Sequence, residues 1–138
     1  MKTYTCKTCN TESRFKHSKS NIYCSIKCQS VDRQAQFISK WLNGDETGTG
    51  VNGTKLSIKR YLLAQQDNKC AYCGITEHNG KPIVLELEHK DGNSQNNLPK
   101  NLCMICPNCH SQTPTYKGAN RGNGRHARRV RYSLDKSY

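Results

Sequence analysis

A small α+β fold pinned together by thiolate clamps is what this sequence predicts, on three observations. Two cysteine pairs, Cys70-x-x-Cys73 and Cys106-x-x-Cys109, stand on either side of one apolar stretch in the C-terminal half, and Cys6-x-x-Cys9 and Cys24-x-x-x-Cys28 lie near the start. Hydrophobic residues are 33% of the 138, too few for a chain this short to rely on an apolar core alone. Apolar residues at helical and at alternating spacing occupy separate stretches. Four thiolates in two close pairs make a tetrahedral Zn²⁺ site, so two structural zinc ions are expected: one on Cys6, Cys9, Cys24 and Cys28, one on Cys70, Cys73, Cys106 and Cys109.

Charge and cysteine usage bound the setting. Nine cysteines is an odd number, and no apolar leader or bilayer-length run accompanies them, which favours thiolate–metal ligation in a reducing cytoplasm over a secreted disulfide framework. A net charge of +12, from 22 Lys+Arg against 10 Asp+Glu, makes phosphate backbones the natural partner, with a merely solvated surface as the alternative.

Four stretches follow in order. Residues 1–30 hold few apolar side chains and need their metal to fold; Tyr4-Thr5 and Asn21-Ile22-Tyr23 read as short strands entering the knuckles of a zinc finger. Residues 31–69 are a helical linker: Val31, Ala35, Ile38 and Leu42, with Trp41 beside them, recur at helical spacing and stop at Asn43-Gly44. The Gly-rich run 44–53 is a loop or spacer whose glycines match no phosphate-cradling pattern. A second helix runs from Ser57, read as its N-cap, to the turn at Asp67-Asn68. These helices serve as spacer and brace; Arg33 and Lys40 leave a DNA-facing role open for the first.

Residues 70–117 carry the chemistry. Residues 82–89 alternate after an apolar start and read as one strand ending at Asp91-Gly92-Asn93; Pro99 suits the first turn of a short helix; residues 110–113 continue the second knuckle as a helical turn up to Pro114. Cys103-x-x-Cys106 is also a CxxC. Pro-Asn suits a tight knuckle between Cys106 and Cys109, whereas Met104-Ile105 suits a helix interior, so Cys103 is read as a small buried thiol.

The blocks Leu87-Glu88-His89-Lys90-Asp91-Gly92-Asn93, Asn101-Leu102 and Cys106-Pro107-Asn108-Cys109-His110-Ser111-Gln112-Thr113, in that order, resemble the HNH endonuclease family in its four-cysteine zinc version, common among phage and intron-type homing enzymes. The resemblance covers roughly residues 55–120 and implies a ββα-metal, treble-clef-like core that cuts double-stranded DNA with a divalent ion, Mg²⁺ or alternatively Mn²⁺. Matched by position, His89 is the general base, Asn101 braces the loop and orients it, and His110 and Glu88 ligate the catalytic ion. It further implies a bacterial-host cytoplasmic setting, a monomer or a DNA-induced dimer, and neither a small-molecule cofactor nor a membrane partner.

Residue chemistry agrees by type. An imidazole takes a proton from water near neutral pH, and an ion held by an oxygen and a nitrogen ligand offsets the charge that builds on a phosphate under attack. Strand alternation raises a difficulty: Glu88 would share a face with Glu86, and His89 with Leu85 and Leu87. A twist or bulge before Asp91-Gly92 would bring both toward His110, and Glu86 and Asp91 stand in reserve as oxygen ligands.

Residues 118–138, with Lys117 before them, form a basic arm. Lys117, Arg121, Arg125, Arg128, Arg129 and Arg131 are read as DNA contacts, against a solvated tail or a segment packed through Val130, Tyr132 and Leu134. His17, His78 and His126 read as surface residues. A non-catalytic zinc-finger nucleic-acid-binding protein with a degenerate HNH unit is the alternative function.

Overall fold

The computed structural model describes residues 2–16, 20–51, 53–120, 129–130 and 132–134. Strands β1 (Thr3–Thr5) and β2 (Glu12–Arg14) pair antiparallel from Thr3↔Arg14 to Thr5↔Glu12, with Cys6 and Cys9 in the connection. The strand expected at Asn21-Ile22-Tyr23 is a turn. Asn21 takes φ 51° and its side-chain amide bonds both the N–H and the C=O of Lys16, a local closure that asparagine makes at low cost.

Helix α1 (Ile26–Asn43) begins well before residue 31, inside the finger. Ser25 caps it, its hydroxyl accepting from the Cys28 N–H at 3.1 Å, so the pair Cys24 and Cys28 straddles the helix start. Gly44, at φ 85°, ends it as expected, its N–H reaching the carbonyls of Lys40 and Trp41.

The Gly-rich run is an ordered hairpin rather than a free spacer: β3 (Thr49–Gly50) pairs with β4 (Gly53–Thr54). Gly48, at φ 75°, lies so close to the helices that a Cβ there would stand 2.7 Å from Ile58 Cδ1 and 2.9 Å from Trp41 Nε1. Helix α2 (Leu56–Gln65) follows without a side-chain cap; Ser57 sits in its first turn, and Asp67 and Asn68, both at positive φ, end it.

The strand expected over 82–89 is split. Pro82 belongs to a hairpin of β5 (Glu77–His78) and β6 (Lys81–Pro82), and only β7 (Glu86–His89) pairs with β8 (Leu102–Ile105), in the register Glu86↔Ile105 to His89↔Leu102. Met104 and Ile105 are therefore strand, not helix; a short continuous apolar run has no periodicity to separate the two. A 3₁₀ turn, Pro99–Asn101, leads into β8 with Pro99 at its start, and α3 (Pro107–Ser111) leads out.

β8 is buried on both faces. Leu102 and Met104 join Trp41, Ile58 and Leu62 in one cluster, while Cys103 and Ile105 join Cys70 and Cys106 in another. Gln66 covers the backbone of β8, its Nε2 donating to the Met104 carbonyl at 2.8 Å and its Oε1 accepting from the Met104 N–H at 2.9 Å. The linking helices and the strand thus share a core, and truncating Trp41 to alanine would cost about 3–5 kcal/mol. Among the described residues no helix is long and apolar enough to cross a membrane.

Candidate metal centres and active site

Both cysteine quartets converge. In each, one sulfur from every residue lies within 4.8 Å of the others: Cys6, Cys9, Cys24 and Cys28, and Cys70, Cys73, Cys106 and Cys109. Tetrahedral Zn–S bonds of about 2.3 Å require sulfur–sulfur edges of about 3.8 Å. The observed edges fit: Cys9–Cys24 at 3.6 Å, Cys24–Cys28 at 3.5 Å and Cys73–Cys106 at 3.7 Å. Cys103 stays outside, buried beside Ile105.

Backbone amides stabilise some of the thiolates. N–H groups of Cys24 and Cys9 draw the Cys6 thiol down to about 6. Burial opposes ionisation of Cys70, yet N–H groups of Cys73, Cys106 and Tyr72 outweigh it and the thiol also falls to about 6. Conversely, the Cys28, Cys9 and Cys6 thiols push Cys24 up to about 12, and burial followed by its neighbouring thiols does the same to Cys109. Four sulfurs this close resist four negative charges until a dication joins them.

The second quartet ties the start of α3 to the 70–73 knuckle, and β8, paired with β7, leads directly into that helix. Cys106 receives the Cys109 N–H on its sulfur at 3.4 Å, and Pro107 opens the helix, so His110 projects from the first turn toward the strand. Glu86 and Glu88, on one face of β7, meet it there. Glu86 Oε2 bonds His110 Nδ1, and Glu88 Oε2 stands 3.4 Å from His110 Nε2. Glu88 is 4% exposed, with Thr115 Oγ1 donating to its other oxygen at 3.3 Å. Tyr116 packs its ring edge-on against His110, centroids 5.3 Å apart.

This donor set suits a small hard cation. Ligands on adjacent corners of an ion with bonds of about 2.0–2.1 Å stand about 3 Å apart, close to the Glu88–His110 separation. A carboxylate on the second nitrogen of a ligating imidazole fixes its tautomer and direction, which is the place Glu86 occupies. Glu86, read from sequence as a reserve ligand, thus sits behind His110. Asp91 is engaged elsewhere: it accepts from Asn96 Nδ2, Asn101 Nδ2 and the Asn93 N–H. Burial opposes its charge, but those bonds prevail and hold its carboxyl below the ordinary range.

His89 closes β7 on the other face, the one that sends Leu85 and Leu87 into the Trp41 cluster. The pairing runs through all four residues of β7 with no bulge, so Glu88 and His89 keep the alternation of a regular strand. His89 is half-buried, and its Nε2 lies 3.0 Å from Asn97 Oδ1. Asn101 braces the following loop, its Nδ2 donating to the Asn96 carbonyl at 2.8 Å and its Oδ1 accepting from the Asp91 N–H at 3.1 Å. The side chain that meets the His89 ring is Asn97; from sequence the Asn96-Asn97 pair reads only as the entry to a short helix, and its spacing carried no sign of that contact.

In the basic arm, Lys117 lies over the Tyr116 ring at 4.9 Å, beside His110. Arg129, Val130, Tyr132 and Leu134 are exposed. Arg121, Arg125, Arg128 and Arg131, together with His17 and His126, lie outside the described residues.

A small α+β fold with two four-cysteine clusters, in which a strand carrying Glu-His faces a short helix carrying His, is consistent with the resemblance to HNH endonucleases. Comparison with known proteins agrees: the chain is 42% identical over 95 residues to the H-N-H endonuclease F-TflIV of Escherichia phage T5, a match covering 67% of this chain and 42% of that protein. Over that stretch it is homologous to an H-N-H endonuclease. It is also 26% identical over 74 residues to the Zorya protein ZorE of Escherichia coli, covering 54% of this chain and 20% of that one. The chain spans less than half the length of either relative. No family model and no solved structure matches it.

Proposed function

We propose that this protein is a DNA endonuclease that hydrolyses phosphodiester bonds with one divalent cation. The observation that carries the reading is the Glu86–His110–Glu88 arrangement on a four-cysteine frame, in a segment homologous to an H-N-H endonuclease. Glu88 and His110 hold the cation, probed as Mg²⁺ or Mn²⁺, which when bound supplies positive charge to the scissile phosphate and the departing 3′ oxygen. His89, at the end of the same strand, takes the proton from the attacking water. Asn101 keeps the loop after His89 in place, and Glu86 keeps His110 aimed. Products carry 5′-phosphate and 3′-hydroxyl ends.

Duplex DNA is held by the net charge of +12, with Lys117 and, further along the sequence, Arg121, Arg125, Arg128, Arg129 and Arg131 contributing salt-dependent contacts to phosphates. The N-terminal finger, from which α1 grows, adds a second grip. The chain works as a monomer or as a dimer formed on DNA, in the role of a phage-borne or homing-type enzyme.

One observation favours a second reading. Glu88 and His89 project to opposite faces of an unbulged strand, as they would in a unit that binds nucleic acid without cutting it. Supercoiled plasmid separates the two. The nuclease reading expects no cutting in EDTA and nicked or linear product on adding Mg²⁺ or Mn²⁺; DNA retained but intact with every divalent ion would support the second.

A further inference from the structure

Asn97 is among the most buried polar side chains described, 2% exposed, and all its polar atoms are engaged. Its Oδ1 accepts from Thr54 Oγ1 at 2.6 Å and lies 3.0 Å from His89 Nε2; its Nδ2 donates to Thr49 Oγ1 at 3.1 Å; its backbone carbonyl accepts from Trp41 Nε1 at 2.7 Å. We propose that Asn97 is a positioning residue for His89, holding the ring with its hydrogen on Nε2 and leaving the Nδ1 lone pair as the proton acceptor.

Hydrogen-bond valence carries this step. An amide oxygen only accepts, and the Thr54 hydroxyl already donates to it, so the bond to His89 must bring its hydrogen from the imidazole. A neutral imidazole has one N–H; with that on Nε2, Nδ1 is the free base. The side chain is held at the ring, with its oxygen toward Thr54 and His89, its nitrogen toward Thr49 and its backbone tied to Trp41. A buried, fully satisfied polar side chain of this kind specifies one geometry.

The two asparagines therefore divide the work. Asn101 fixes the loop by bonding Asn96 and Asp91, and the neighbour of Asn96 reaches the ring. Through Asn97 the 49–54 hairpin and helix α1 reach the strand end, giving the segment before the zinc clamp a part in the site that its composition does not suggest. Only the word base rests on the proposed function; the tautomer and its cause do not.

The test uses the full, zinc-loaded chain with ring-¹⁵N histidine, at pH 8 without added Mg²⁺. Multiple-bond ¹H–¹⁵N correlation is expected to show His89 protonated at Nε2, and averaged between tautomers in Asn97→Ala. Asn97→Asp retains the acceptor and is expected to retain Nε2–H, which keeps the test decisive if the alanine variant folds poorly. For a protein that cuts DNA, Asn97→Ala is expected to lower kcat about 10–100-fold with KM within about twofold. An Nδ1–H parent, an unchanged Nε2–H in a folded Asn97→Ala variant, or loss of Nε2–H in Asn97→Asp overturns the proposal. A protein that cuts nothing still reports the tautomer, so failure of the nuclease reading is seen separately.

Discussion

Glu86 bonds Nδ1 of His110 while Glu88 faces Nε2 of the same ring at 3.4 Å, so two carboxylates two residues apart on one strand face address opposite sides of one imidazole. They are not equivalent. Glu88 is buried and faces Nε2, the side on which the proposed cation would sit, whereas Glu86 is exposed and meets the ring at Nδ1. Glu88→Ala is expected to abolish Mn²⁺ binding at this site, and Glu86→Gln to weaken it about 10–100-fold without altering the zinc content. Calorimetric Mn²⁺ titration of the zinc-loaded chain reads both; equal losses from the two substitutions would remove the distinction.

His89→Ala tests the base. It removes a half-buried ring at a strand end whose neighbours remain braced by Asn101, so folding should survive. Cutting is expected to fall about 10²–10⁴-fold, with DNA affinity within about twofold and two zinc ions per chain. Cutting at the parental rate would mean that another group takes the proton.

The parts legible from sequence were those written in local spacing. Cysteine pairs declare their ligand geometry, and the Asn43-Gly44 stop and Pro99 declare their turns, because each constraint acts within a few residues. What spacing concealed was set by packing. β8 had no periodicity to distinguish it from a helix, and the split at Pro82 follows from which residues find a partner strand. Glu86 acquires its place behind His110 only when α3 packs beside β7. Asn97 acquires its place only when a hairpin more than forty residues earlier folds onto Trp41.

Cys103 and Cys106 separate a packed thiol from a ligand. Cys106 lies in the second sulfur quartet, and Cys103 lies in the adjoining apolar cluster. Cys103→Ala is expected to keep two zinc ions per chain, and Cys106→Ala to keep one, as measured by atomic absorption on gel-filtered protein. One zinc in the Cys103 variant would reassign the knuckle.

Zinc affinity should depend on pH with a definite sign. Without metal, Cys6 and Cys70 lie at about 6 and are thiolates at pH 7, while Cys24 and Cys109 lie at about 12 and are thiols. Loading must expel at least the proton on Cys24 or Cys109, so apparent affinity rises about tenfold per pH unit for each proton lost above neutrality. Below about 6 the Cys6 and Cys70 thiols also protonate and the dependence steepens. Competition against a chromophoric chelator from pH 5 to about 9 measures the slope. A flat profile would contradict thiol ligation.

Gly48 couples the hairpin to the strand end. At φ 75° an L side chain is strained, and its Cβ would enter the contact with Ile58 Cδ1 and Trp41 Nε1. Trp41 Nε1 is the same group that donates to the Asn97 carbonyl, so relieving the clash must loosen that bond or lift the hairpin carrying Thr49 and Thr54. Gly48→Ala is expected to destabilise the zinc-loaded chain by about 2–4 kcal/mol in urea unfolding, the combined range of a left-handed non-glycine residue and an overpacked contact. Val51, fully exposed at the hairpin tip, provides the control: Val51→Ala should shift stability by less than about 0.5 kcal/mol. Equal stabilities for the two variants would show that the hairpin does not bear on Trp41, and would cut the connection from the linker through Asn97 to His89.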